Sequence, residues 1–158
     1  MKAHRLMTLA GVGGVGKTRL ALEVAERSAP SFPDGVWVIE LAPVGDPTAV
    51  PDAVAAVLGI TQQQGMSVAS SVASALEGRW RLLVFDNCEH VLDAAADMIE
   101  AILAHSATVR IPATAGKACG SLTNSFGRCR HSMCSAVSTR PPRPCSCSVL
   151  RLSRPVSP

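Results

Sequence analysis

The chain has no tyrosine, and only three phenylalanines and two tryptophans stand among its 158 residues. A surface that stacks nucleic-acid bases on aromatic rings has little here to build on. No apolar run approaches the roughly 20 residues that a membrane helix needs. The basic start, Met1-Lys2-Ala3-His4-Arg5, leads into an apolar run too short for a secretory signal. A cytoplasmic protein without a membrane partner is expected.

Acidic residues are absent after Glu100, and all twelve lie between Glu23 and Glu100. Cysteine is almost absent from the front, where Cys88 stands alone, yet Cys119, Cys129, Cys134, Cys145 and Cys147 crowd the rest. From Met1 to Thr114, twelve acids and eight bases give a formal charge of −4; from Ala115 to Pro158, seven bases and no acid give +7. Such an asymmetry divides the chain into an ordinary globular part, 1–114, and a basic Cys/Pro/Ser-rich part, 115–158. The second part shows almost no apolar periodicity and is expected to be disordered, because it buries too little surface to offset chain entropy. The length allows one domain with a real core.

What is present in the front part is a regular alternation. Leu6 to Ala10 is a short apolar run that meets a glycine cluster, and Lys17 to Arg27 then places Leu20, Ala21, Val24 and Ala25 on one helical face. Val36 to Leu41, bounded by Pro33-Asp34-Gly35 and Pro43, reads as a buried second strand. Asp46 caps a helix with Pro47 in its first turn, Val50, Val54 and Val57 or Leu58 as its apolar face, and Gly59 as its end. Ser67 to Glu77 is a weaker helix closed by Gly78. Arg81 to Phe85 is a third strand ending in Asp86, and Val91 to Ala104 is an amphipathic helix with Leu92, Ala95, Met98, Ile99 and Ile102 inward. Thr108 to Ile111 begins a fourth strand, which Pro112 is expected to end by removing a ladder donor. Strands alternating with helices of about ten residues imply an α/β fold, a parallel sheet of about four strands with helices on both faces.

The glycine cluster has the pattern G-x-x-x-x-G-K-[ST] over Gly11-Val12-Gly13-Gly14-Val15-Gly16-Lys17-Thr18. Glycines let successive backbone N–H groups converge on a phosphate, and the following helix aims its positive end at the same anion. Gly11, Gly13, Gly14, Val15, Gly16, Lys17 and Thr18 are thus the expected P-loop, with Lys17 on the outer phosphates and Thr18 on Mg2+. Asp86, at the tip of a buried strand, is placed to hold the same Mg2+ through water, the Walker B role. Asn87 follows where many fast ATPases carry a glutamate, and an amide cannot take a proton from water. Slow hydrolysis or a binding switch follows. Glu89 is a candidate substitute base, although an acid near a helix N-terminus is also simply favourable to the helix dipole. Cys88 and His90 do not complete a four-ligand metal site with Asp86.

The string Thr8 to Ala25, together with Leu83-Val84-Phe85-Asp86-Asn87-Cys88-Glu89-His90-Val91, resembles the STAND (NB-ARC-like) regulatory ATPases. More narrowly it is similar to the ATPase module of large bacterial regulators that carry a LuxR-type helix-turn-helix or a cyclase-like domain. The resemblance spans about Arg5 to Thr114. It implies ATP and ADP as alternating ligands of a switch gating transcription, family roles for Lys17, Thr18 and Asp86, and a strand order of 5-1-4-3-2. A small P-loop kinase is the lesser alternative, because Ala42 to Met66 offers no arginine or lysine to close over phosphates.

After its fourth strand that family reads Ala-Thr-Ser-Arg-Glu, a polar sensor followed by an arginine, whereas Ala113-Thr114 here precedes Ala115-Gly116-Lys117. With one base restored after the Thr114 codon, GC-rich codons can be chosen for Ala115 to Gly120 that read Ser-Arg-Glu-Gly-Leu-Arg in the shifted frame. Codons chosen in the same way through Arg143 give a shifted frame that regains acids and the family's tryptophan-proline segment. The expectation is a frameshifted continuation that costs the sheet its fifth strand and leaves Leu6 to Ala10 as an exposed edge prone to self-association. Two rival readings of 115–158, a basic arm for nucleic acid and a zinc site from its cysteines with His131, lack interleaved aromatics and paired knuckle spacing respectively. No direct DNA-binding segment is expected in this chain. A non-functional remnant or interaction fragment without nucleotide turnover is the alternative to a nucleotide-binding one.

Overall fold

The computed structural model describes residues 4–116 and 134–136. Strand β1 (Leu6–Ala10) leads through the glycine-rich loop into helix α1 (Lys17–Ser28), and β2 (Val36–Glu40) follows a short 3-10 turn. Helices α2 (Val50–Leu58) and α3 (Val68–Ala75) precede β3 (Leu82–Asp86), helix α4 (Leu92–His105) precedes β4 (Ile111–Ala115), and β5 (Cys134–Ala136) is a three-residue strand. All recorded pairings are parallel, in the order β2-β3-β4-β1-β5. This is the 5-1-4-3-2 order read from the other edge.

The buried strand β3 shows how the sheet is covered on both sides. Successive side chains of a strand point to opposite faces. Leu82 and Val84 pack with Leu9, Ala21, Ala25 and Phe32 under α1, while Leu83 and Phe85 join the larger core of Ile39, Leu41, Val54, Val72, Met98, Ile99 and Ile102 under α2, α3 and α4. Full burial of side chains such as Ile99 and Ile102 stabilises the fold by about 1.5 to 3 kcal/mol each. Asp86 has the parity of Leu82 and Val84. The strand therefore delivers its terminal carboxylate to the α1 face.

Several expectations need correction. Leu20 is exposed, and α1 lies on the sheet through the small side chains of Ala21 and Ala25. In α2 the expected apolar face holds, with Leu58 rather than Val57 buried beside Val50 and Val54. The weaker helix is shorter than Ser67 to Glu77; Ser67 is its N-cap, its side chain accepting from the Ser70 N–H, and Gly78 lies beyond its end. Strand β2 is half-buried over Val36 to Val38 because it is the sheet edge.

Pro112 does not end the fourth strand. The strand runs through it, paired with β1 from Leu6↔Ile111 to Ala10↔Ala115. Only the β3 side is interrupted, between the bridge Leu82↔Arg110 and the pair Phe85↔Ala113. Alternate residues of a strand turn their N–H groups to alternate neighbours, so the missing donor is felt on one side alone. Nor is β1 a bare edge: β5 pairs with it over Leu6 to Thr8. Apart from Ala115, Gly116 and these three residues, the expectations for 115–158 lie outside the described residues.

Candidate functional site

The candidate site forms where β1, β3 and β4 end together beneath the start of α1. Gly14 and Gly16 have φ of 79° and 89°, in the left-handed region that only glycine enters without strain. Gly16 stands at the N-cap of α1, where its carbonyl accepts from Leu20 N at 2.9 Å. A Cβ at Gly13, Gly14 or Gly16 would meet nothing within 4 Å, so the space over these three residues is open. The α1 N-terminus, the positive end of its helix dipole, makes that open side favourable to an anion.

Lys17 folds back over the loop, its Nζ donating to the carbonyls of Gly11 at 2.9 Å and Val12 at 3.0 Å. One residue on, the Thr18 hydroxyl donates to Oδ1 of Asp86 at 2.8 Å. The Asp86 side of the site is enclosed, with 8% of the residue exposed. Oδ1 also accepts from the hydroxyl of Thr114 on β4, and Thr114 Oγ1 in turn accepts from the backbone N–H of Asn87 at 2.9 Å. The register explains this contact, since Phe85 pairs with Ala113 and sets the next residues, Asp86 and Thr114, side by side. Asn87 turns the chain out of the strand with φ of 60°, a conformation that asparagine tolerates better than most residues.

The structure thus joins Thr18 to Asp86 and holds Lys17 on the loop that contains Gly11 to Gly16. It does not join Glu89 to them by any hydrogen bond among the described residues. Glu89 is exposed on the 3-10 turn Cys88–His90, and its Oε2 lies 2.7 Å from where a Cβ on Gly116 would stand. His90 is drawn aside to the Val44 carbonyl, with Nε2 at 2.9 Å. Cys88 is buried. No group of three or more potential ligands among the described residues is arranged for a metal ion bound by His, Cys, Asp and Glu.

A Mg2+ ion held by one hydroxyl and, through water, one carboxylate requires less, and Thr18 and Asp86 offer both. The Thr18 oxygen keeps lone pairs for a cation while its O–H points to Asp86. The donor set fits. Thr114 was not among the site residues singled out from the sequence; its only signal was its place at the polar sensor position of the resembled family.

No family model matches the chain. The "Putative HTH-type transcriptional regulator Rv0890c" of Mycobacterium tuberculosis is 39% identical over 117 residues, which cover 74% of this chain and 13% of that protein. The regulatory protein AfsR of Streptomyces coelicolor is 50% identical over 46 residues, 29% of this chain and 5% of AfsR. The chain therefore spans a small part of the regulators it resembles. Among solved structures, Cdc6p from Pyrobaculum aerophilum superposes with a TM-score of 0.59 at 16% identity, over 85% of this chain and 39% of that one. The ORC2 protein of Aeropyrum pernix, in ADPNP-ADP complexes, gives 0.53 at 15% identity, over 80% and 38%. The fold is that of the P-loop ATPases. No helix among the described residues is long and apolar enough to cross a membrane.

Proposed function

We propose that this chain is an ATP/ADP-binding fragment of a STAND-type ATPase module from a cytoplasmic transcriptional regulator, with slow or absent hydrolysis. The hydrogen bond from Thr18 to Asp86, at the mouth of a glycine loop that opens a helix, carries this reading. It joins the two residue types that a P-loop protein uses to hold Mg2+ against phosphates. Gly11, Gly13, Gly14, Val15 and Gly16 would supply the phosphate cradle and Lys17 the cation on the outer phosphates. Bound Mg2+ would neutralise phosphate charge. Regulator relatives and P-loop ATPase neighbours support the same assignment.

Weak turnover follows from the carboxylates present. Asp86 is occupied by two hydroxyl donors, Asn87 has no proton-accepting group, and Glu89 is turned toward Gly116. Glu89 remains the candidate base. Titration of the full chain with a fluorescent ATP analogue in Mg2+, beside Lys17→Ala, tests the reading. Saturable binding lost in the variant is expected; binding absent from both, or equal in both, would remove it.

In this reading 1–114 is a partial ATPase domain and 115–158 an out-of-frame continuation, as the charge break after Thr114 suggests; gene sequencing tests that continuation, since codons after Thr114 that cannot encode the shifted Ser-Arg-Glu would sink it. A remnant or interaction fragment without nucleotide turnover is the second reading, and the same Lys17→Ala titration decides between the two.

A further inference from the structure

An edge strand presents a row of unpaired backbone N–H and C=O groups, which proteins commonly blunt with lysine, proline or a bulge. Strand β2 is an edge of the sheet, and nothing among the described residues pairs with its outer side. Its five residues, Val-Trp-Val-Ile-Glu, include neither lysine nor proline. The register with β3 runs unbroken from Val36↔Leu82 to Glu40↔Asp86, so no bulge turns the edge away.

The outward groups can be assigned. The Gly35 carbonyl accepts from Leu82 N at 3.2 Å, and Leu41 N donates to the Asp86 carbonyl at 3.0 Å. Backbone groups along a strand alternate between its two sides, so Gly35, Trp37, Ile39 and Leu41 face β3. Val36, Val38 and Glu40 therefore turn their N–H and C=O groups to the open side.

The two ends of the strand also differ in charge. Glu40 is exposed at the C-terminal end. Beside the N-terminal end stand Asp34, Arg79 and Arg81: Arg79 Nη1 lies 3.4 Å from Asp34 Oδ1, and the Arg81 guanidinium lies over the Trp37 ring, 5.5 Å from its centroid. Two arginines against one aspartate leave that end positive. An antiparallel neighbour with the same sequence reverses these ends. Centred on Val38, it sets Val38 against Val38 and Val36 against Glu40, each pair joined through outward groups. The acidic end of each copy then meets the arginine end of the other, whereas a parallel neighbour brings like ends together.

We propose that two copies of this chain associate by antiparallel pairing of their β2 edges about Val38. The same patch serves both copies, so the contact closes as a dimer. It requires no nucleotide and stands independently of the nucleotide-binding reading.

Sedimentation velocity of the full chain over a concentration series tests this with the wild type, Val38→Pro and Glu40→Arg. Proline at 38 removes an outward donor and spares the bonds to β3. A concentration-dependent dimer is expected for the wild type and a monomer with unchanged far-UV circular dichroism for Val38→Pro. Glu40→Arg keeps the backbone and is expected to weaken association about tenfold, as both end pairs become like-charged. Amide hydrogen exchange above and below the dimerisation midpoint locates the contact: Val36, Val38 and Glu40 gain protection on association, and Trp37 and Ile39 do not change.

A wild type that stays monomeric throughout overturns the proposal. So does a dimer that a folded Val38→Pro leaves intact, or one whose formation leaves the three outward amides unprotected. Equal association of Glu40→Arg and wild type overturns the antiparallel register, and this arm and the exchange measurement decide the matter if Val38→Pro does not fold.

Discussion

The hydroxyl of Thr18 and the carboxylate of Asp86 meet at 2.8 Å, although 68 residues separate them in the chain. The bond ties the first turn of α1 to the tip of β3, and so ties the glycine loop to a fully buried strand beneath it. Neither partner is placed by its own element alone. Parity along β3 sends Asp86 to the α1 face, and the left-handed Gly16 turns the chain so that α1 begins above it.

Gly16→Ala is expected to destabilise the chain by about 1 to 2 kcal/mol, the cost of holding an L residue in the left-handed region. A Cβ there meets no neighbour, so the loss is conformational, not steric. Urea unfolding followed by far-UV circular dichroism checks it. An unchanged midpoint would mean that the loop relaxes into another conformation.

Arg5 donates from Nη1 to the carbonyls of Leu103 at 2.9 Å and Ser106 at 2.6 Å, at the C-terminal end of α4. These are orphan helix-end acceptors, and a cation satisfies them and opposes the negative end of the helix dipole. Arg5→Ala is expected to lower stability by about 1 to 3 kcal/mol. Hydrogen exchange should show faster opening of the last turn of α4; uniform protection in variant and wild type would contradict the assignment.

Replacing Asp86 by alanine leaves two hydroxyls, Thr18 and Thr114, without their acceptor, and the Thr114 site is buried. A loss of about 1 to 3 kcal/mol is expected without any ligand. Chemical denaturation at neutral pH measures it, and Thr18→Val should cost less because Thr18 is exposed. A larger loss for Thr18→Val would reverse this ranking.

Asp34 has its carboxyl held below the usual range, chiefly by the Trp80 N–H at 2.8 Å and further by Arg79. A depressed folded-state value stabilises the native chain above the unfolded carboxyl value and loses that contribution as pH falls through the folded one. The window lies below about pH 4. Asp34→Asn should therefore flatten part of the acid limb of a Tm-against-pH curve and leave its neutral region unchanged in slope. An unaltered acid limb would count against the Trp80 bond.

Much of this was legible from local chemistry. The alternation of strands and helices and the stop at Gly59 with φ of 67° follow from neighbours a few residues apart, whereas Asp46, expected to cap α2, accepts from the Thr48 N–H and caps the 3-10 turn Pro47–Ala49 before it. Leu20 and Pro112 depart from the sequence expectation for two reasons. A helical face is broad enough to leave the inward stripe ambiguous by one residue, and a strand's tolerance of proline depends on which neighbour its missing N–H would have faced.

The sequence by itself determined the alternation of strands and helices through β4 and the glycine loop that opens α1, because turn and cap chemistry acts over short spans. Only the tertiary structure decided which side chains share an oxygen. The register of β3 against β4 places Thr114 beside Asp86, and the packing of α1 on the sheet brings Thr18 to the same atom. Strand pairing joins residues that are distant along the chain, and no local pattern of residues encodes that register.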